Sequence, residues 1–306
     1  MHDRKAPLLL GAGALALITG LAAPAHARTA TPQVPSVAAP AVLPADSAAS
    51  RAVIDPPRVY GKAAILVDAE TGAVRFREAE NRRMPIASLT KTMTAYLVLK
   101  SAKPGDLVEV RPEDVRYARA GGGTTAYLRA GDRLPVKDML YALMLPSGAD
   151  AAHALARTYG PGVSGFVAKM NATARQLGMN DTSYVNADGL PMPGSDGYST
   201  ARDQAVLGVQ ALRDPLLRQV TSTRRHTAAR TATHRSYTWS NTNKLLGSPG
   251  AVGLKTGFTR AAGFSLAFAG ERAGRLLVGV LLGESVSSRR FDTARALLDW
   301  GGRVGV

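Results

Sequence analysis

Ser88 and Lys91 stand three residues apart in Pro85-Ile86-Ala87-Ser88-Leu89-Thr90-Lys91-Thr92-Met93-Thr94-Ala95-Tyr96-Leu97. The stretch reads as a helix opening just after Pro85, since proline is tolerated where a helix begins and its missing N–H goes unused. On a helix, a spacing of three puts the hydroxyl and the amine on one face. A serine is a weak nucleophile until a neighbouring base takes its proton, and a desolvated lysine can be that base. The first turn adds backbone N–H groups where an oxyanion could develop. The same pattern also fits an ordinary amphipathic helix that happens to carry both residues, so the rest of the chain must decide between the two readings.

Lys255-Thr256-Gly257 supplies a second amine and hydroxyl on a strand-like run that starts at Val252. Ser147 falls in Pro146-Ser147-Gly148, a break between helices expected over Leu134 to Leu145 and Ala149 to Tyr159. Its position before Ala-Asp-Ala-Ala suits a helix cap equally well. Five His, no Cys and no H-E-x-x-H spacing leave no zinc signal, and no cofactor is implied.

The elements that must position these groups follow in order. Met1 to Ala27 has a charged head, an apolar centre and a small-x-small end, which describes a secretory signal peptide cut after Ala27. A membrane anchor is the competitor, but Gly11, Gly13, Gly20 and Pro24 interrupt the run and no basic stop follows it. Residues 28–57 are rich in Ala, Pro, Thr and Ser and bury too little to fold, so they read as a flexible linker. From Arg58 onward (58–306) the composition is globular, long enough for one large or two-lobed domain.

Lys62 to Asp68 and Ala73 to Arg77 form a β-hairpin around Gly72. A short strand-like piece spans Pro104 to Val110, and Gly121 to Thr125 is a loop with no phosphate-cradle pattern. Further helices run from Val163 to Leu177, ended by Gly178, and from Ser199-Thr200-Ala201-Arg202-Asp203 to about Leu212. Val252 to Gly257, Gly263 to Ala269 and Leu276 to Leu282 are strands, and Phe291 to Trp300 is a closing helix. Strands at both ends with helices between predict an α+β fold. Its antiparallel sheet is built from N- and C-terminal strands and flanked by helices, with a helical lobe inserted between.

The net charge is +15. Such a field favours an acidic partner, although arginines spread over solvated faces would give the same total. The densest patch runs from Arg224-Arg225-His226 through Arg230 to Arg235 and carries no nucleic-acid signature. After an export signal, an anionic surface outside the cytoplasm is the better expectation.

S-x-x-K and Lys-Thr-Gly each occur once, and with Ser147-Gly148 between them they give the ordered signature of penicillin-binding proteins and β-lactamases. The chain resembles the serine D-alanyl-D-alanine carboxypeptidases of the low-molecular-mass penicillin-binding proteins, with the β-lactamase/transpeptidase-like fold. Further matching blocks are Ala126-Tyr127-Leu128, Gly131-Asp132, Met144 to Gly148, Asp150-Ala151-Ala152, Asn186 to Leu190, Tyr198 to Asp203, Asn241 to Leu246 and Gly253 to Thr259.

The resemblance implies Ser88 as the acylated nucleophile, Lys91 as its base and Ser147 as the proton route to the leaving D-alanine. It implies that Lys255 tunes Ser147, that Thr256 binds the terminal carboxylate beside Gly257, and that the N–H groups of Ser88 and Phe258 form the oxyanion hole. Arg290, in a basic-Phe step like the family's, would help hold the carboxylate by bidentate bonds, or else is a surface arginine. The substrate class implied is peptidoglycan stem peptides, with β-lactams as covalent inhibitors.

The chain departs from the family at Ala149, where Ser-x-Asn is usual. Either another group replaces the amide or turnover is weaker, and a non-turnover binding protein is the alternative. Between Ala149 and Lys255 there is no Glu, so a class A β-lactamase deacylation route is not expected. The sequence stops soon after Trp300, so a protein free of the membrane after cleavage is expected, and endopeptidases that cut cross-links are among short relatives of this kind.

Overall fold

Apolar at all five positions, Ala63-Ala64-Ile65-Leu66-Val67 is the pattern of a strand covered on both faces. In the structure, a computed structural model that describes residues 55–304, this run is fully buried. The expected signal peptide and all but the last three residues of the expected linker lie outside the described residues.

Chain order begins with β1 (Ala63–Asp68), β2 (Val74–Glu78), a 3-10 turn (Ala87–Thr90) and α1 (Lys91–Ser101). The helical lobe follows, with β3 (Leu107–Glu109), α2 (Pro112–Ala120), β4 (Arg133–Pro135), α3 (Val136–Met144), α4 (Ala149–Tyr159) and α5 (Gly162–Gln176). Then come α6 (Ala201–Ala211), α7 (Pro215–Ser222), β5 (Arg225–Ala228) and β6 (Tyr237–Ser240). A 3-10 turn over Lys244–Gly247 leads to β7 (Ala251–Thr259), β8 (Gly263–Arg272), β9 (Arg275–Glu284) and α8 (Arg289–Arg303).

The main sheet is antiparallel in the order β2-β1-β9-β8-β7, so the first and last strands of the chain meet at its centre. Ala63 faces Leu282 and Asp68 faces Leu277 across that seam. Ala63, Ile65 and Val67 point into the larger core shared with the helical lobe, and Ala64 and Leu66 into a second core. There Phe268, Leu277 and Leu281 pack against Phe291, Leu297, Leu298 and Trp300 of α8. The lobe is organised on α4, where Ala149, Ala151, Ala152, Ala154 and Ala156 are all completely buried. Small side chains there let the neighbouring helices approach closely.

The α+β architecture expected from the sequence is the one observed, with local corrections. The helix expected from Leu134 begins at Val136, because Leu134 and Pro135 belong to β4, paired with β3. The strand before α2, β3, was legible, but α2 itself was not anticipated, although it carries Pro112 at its start and Asp114 accepting from the Arg111 N–H at 2.8 Å. The basic patch from Arg224 to Arg235 folds into the β5–β6 hairpin.

Phe268 is fully buried at the centre of the second core. Phe268→Ala is expected to lower stability by about 3–5 kcal/mol, measured as the shift in the urea unfolding midpoint at unchanged slope.

Candidate active site

Ser88 lies within the 3-10 turn that precedes α1, not in the α-helix itself. The chain reaches it through Ala87 at φ +48°, a left-handed conformation that an alanine adopts only when its surroundings hold it there. They do so from behind. A Cβ placed on Gly189, itself at φ +77°, would fall 1.9 Å from the Ala87 carbonyl oxygen, so only glycine lets that loop press against the turn. In a 3-10 turn, residues three apart eclipse, which brings Lys91 alongside Ser88 more directly than an α-helix would.

Lys91 is 1% exposed, and its Nζ donates to Ser88 Oγ at 3.0 Å and to the Asp188 carbonyl oxygen at 2.8 Å. Burial pushes its pKa below the ordinary lysine value, while the negative charges of Asp188 and Asp150 oppose the shift without cancelling it. The loop that supplies the carbonyl is itself fixed. Thr94 Oγ1 donates to the Ala187 carbonyl, Tyr117 OH donates to Asp188 Oδ1, and Asn186 Oδ1 accepts from the Gly189 N–H.

Ser147 occupies the break between α3 and α4 at φ +67°, a second strained non-glycine residue. Its Oγ is buried and, among the described residues, has no hydrogen-bond partner. Burying an unsatisfied hydroxyl costs about 1–3 kcal/mol, so stability does not account for this placement. Ala149 follows at the first position of α4, fully buried, with its N–H donating to the Thr124 carbonyl at 2.8 Å.

Along the edge of the sheet, β7 passes the nucleophile turn at Gly257. A Cβ there would lie 3.3 Å from the Ser88 nitrogen and 2.9 Å from the Ile86 carbonyl oxygen, so the strand can sit against the turn only with glycine at this position. Thr256 Oγ1 shares a 2.7 Å hydrogen bond with Thr242 Oγ1, and the Thr242 N–H donates to the Leu145 carbonyl. Thr242 thereby ties the third motif to the segment carrying the second. Phe258 is half exposed and stacks on Phe264 at 4.3 Å between centroids.

Two lysine and arginine placements differ from expectation. Lys255 is 1% exposed and donates to the carbonyl of its own neighbour, Thr256, at 3.0 Å, with no direct bond to Ser147. Burial depresses its pKa strongly, and the positive charges of Lys91 and Arg290 add to the effect. Arg290 is buried beneath the strand, not on the surface. Its Nη1 donates to the carbonyls of Gly257 (3.0 Å) and Ser265 (3.1 Å), and its charge sits over the rings of Phe264 and Phe291. That nitrogen is already committed, leaving the buried Nε without a partner and Nη2 with only Ser287 at 3.5 Å. Burial lowers the Arg290 pKa to about 10.

Ser88, Lys91 and the Gly257 segment thus meet on one side of the turn, with Thr256 linked through Thr242 to the Ser147 segment. The supporting roles of Asp188, Thr242 and Asp150 were not assigned from the sequence. Asp150, Asp188 and Thr242 did all fall inside blocks that matched the family pattern, and that was the only signal available.

The family pattern described as D-alanyl-D-alanine carboxypeptidase matches residues 50–286. A D-alanyl-D-alanine carboxypeptidase of Streptomyces sp. is 35% identical over 244 residues, covering 76% of this chain and 83% of that protein. A D-alanyl-D-alanine endopeptidase of Pseudomonas aeruginosa is 38% identical over 207 residues, covering 66% of this chain and 64% of that one. The crystal structure of a Streptomyces DD-transpeptidase (strain K15) superposes with a TM-score of 0.77 at 32% identity, covering 81% of this chain and 99% of that one.

Replacing Gly257 by Val tests the close approach of β7 to the turn. Gly257→Val is expected to slow covalent labelling by benzylpenicillin at least a hundredfold while the far-ultraviolet circular dichroism stays unchanged, since the added methyls must push the strand away from the Ser88 N–H.

Proposed function

The chain belongs to the D-alanyl-D-alanine carboxypeptidase family, and we propose that it is exported and removes the terminal D-alanine of peptidoglycan stem peptides through an acyl-enzyme on Ser88. The observation that carries this reading is the buried Lys91 amine, 3.0 Å from Ser88 Oγ. Desolvation favours its neutral form, which can accept the serine proton.

In the acylation step the Ser88 proton moves to Lys91 Nζ as Oγ attacks the carbonyl carbon of the penultimate D-alanine. Negative charge gathers on the carbonyl oxygen, facing the N–H groups of Ser88 and Phe258. As the peptide bond breaks, Ser147 gives its proton to the leaving nitrogen and is reprotonated from the Lys91 ammonium. Water then attacks the ester and releases the shortened peptide, with Ser88 recovering its proton. Thr256 Oγ1 receives the substrate's terminal carboxylate. Arg290 acts from beneath as a fixed positive charge and holds the Gly257 carbonyl in line, while Lys255, whose amine burial drives toward the neutral form, donates to the Thr256 carbonyl.

β-Lactams enter the same site and acylate the same oxygen. Their esters should persist, because the chain has no Glu between Ala149 and Lys255 to activate a deacylating water. Ala149 removes the amide that Ser-x-Asn would present to substrate, and the unpartnered Ser147 hydroxyl remains the polar group of that motif.

The test is release of free D-alanine from diacyl-L-Lys-D-Ala-D-Ala by the full chain, beside Ser88→Ala. Release that falls by about a thousandfold or more in the variant is the expected result. Cleavage of cross-linked dimers without release from the tripeptide would replace this reading with an endopeptidase. Penicillin labelling with neither activity would leave a binding protein.

A further inference from the structure

Beside the second motif a cleft of about 640 Å³ opens in the helical lobe. Its walls include Arg119, Arg129, Arg235, Tyr127, Gly123 and Thr124. Among the described residues none of the three arginines is in an ion pair. The cleft wall packs against the segment that carries the second motif. Thr124 accepts the Ala149 N–H, and a Cβ on Gly123 would lie 3.0 Å from the Ala149 side chain.

Tyr127 is the centre of this cleft. It is 78% exposed and sits at φ +57°, a combination that costs conformational energy and gives the fold nothing back in burial. It is nevertheless held from three directions. The carboxylate of Asp150 accepts from the N–H groups on either side of it, Ala126 at 2.8 Å and Leu128 at 3.1 Å. Arg235 Nη2 donates to its carbonyl oxygen at 2.7 Å.

Asp150 also lines the cleft, but it is 1% exposed and both its oxygens are taken by backbone N–H groups. Asp132, which the Arg235 N–H approaches at 3.5 Å, accepts the Tyr237 hydroxyl through the same oxygen. The remaining field in the cleft is positive, around an outward-facing aromatic ring.

We propose that this cleft is a substrate subsite. In it Arg119 and Arg129 bind a free carboxylate on the N-terminal half of the donor stem peptide while the Tyr127 ring covers its backbone. The proposal rests on the carboxypeptidase reading and extends it to specificity. Guanidinium groups suit carboxylates by their paired N–H geometry, and the cleft lies against residue 149, where the motif has lost its own polar contact to substrate. Recognition moves from an amide beside Ser147 to charge further along the peptide. Arg235 stays as the brace of the Tyr127 carbonyl.

The experiment measures binding by fluorescence anisotropy in the full-length Ser88→Ala protein, so that turnover does not enter. The probes are the labelled pentapeptide L-Ala-γ-D-Glu-L-Lys-D-Ala-D-Ala with its free glutamate α-carboxylate, and the same peptide amidated there. The carboxylate form is expected to bind about fivefold more tightly. This preference should disappear in Arg119→Ala/Arg129→Ala and in about 0.5 M salt. Equal binding of the two peptides, no binding of either, or a preference that survives the double substitution would overturn the subsite. Penicillin labelling of the unsubstituted protein reports on the catalytic reading separately, so the two can fail independently.

Discussion

Taking the Lys91 amine out of water is the constraint on which the rest of the structure depends. A charged amine is expensive to bury, and the fold answers by giving this one two oxygen partners, a serine hydroxyl and a backbone carbonyl, and no contacting carboxylate. Neutralising the lysine with a direct ion pair would have been the cheaper solution for stability, but it would have held the proton on nitrogen. The amine is fully buried instead, with the loop around Asp188 closing on it through its carbonyl. The strained Ala87, the left-handed Gly189 behind it and the 3-10 start of α1 are local consequences of that arrangement.

Three parts of the chain far apart in sequence have to meet for the site to exist. The sheet edge brings Gly257 and Thr256, the 3-10 turn and the start of α1 bring Ser88 and Lys91, and the helical lobe brings Ser147. Their seam is secured by short polar links: Thr242 between Leu145 and Thr256, and Arg290 under Gly257. Asp150 acts on both sides of the lobe, biasing Lys91 through its charge and bracing the Tyr127 loop through its oxygens. Pairing of the first and last strands, β1 and β9, ties the two ends of the domain into one sheet whose edge strand, β7, carries the third motif.

Much of this was legible from residue types. Ser88, Lys91 and the Lys255-Thr256-Gly257 run carry their chemistry in their side chains, and the strands of the sheet follow from four largely apolar runs and the alternating β2, separated by short turns. What escaped was mostly backbone. The Asp188 carbonyl that holds Lys91 could belong to any residue, and the positive φ of Ala87 and Ser147 has no marker in sequence, since glycine is the usual sign of it. The β5–β6 hairpin was hidden because Arg225 to Thr227 are polar and only Ala228, Tyr237 and Trp239 are buried. Lys255 and Arg290 were recognised as charges, but their buried hydrogen bonds to β7 carbonyls depend on a strand path that spacing alone does not define.

The pH dependence of acylation tests the role of Lys91 most directly. The second-order rate of Ser88 labelling by benzylpenicillin should rise with pH as the amine loses its proton, with a midpoint below the ordinary lysine value because burial lowers the pKa. A rate independent of pH, or one that rises only at the pH where a solvated lysine titrates, would contradict the claim that a desolvated Lys91 is the base.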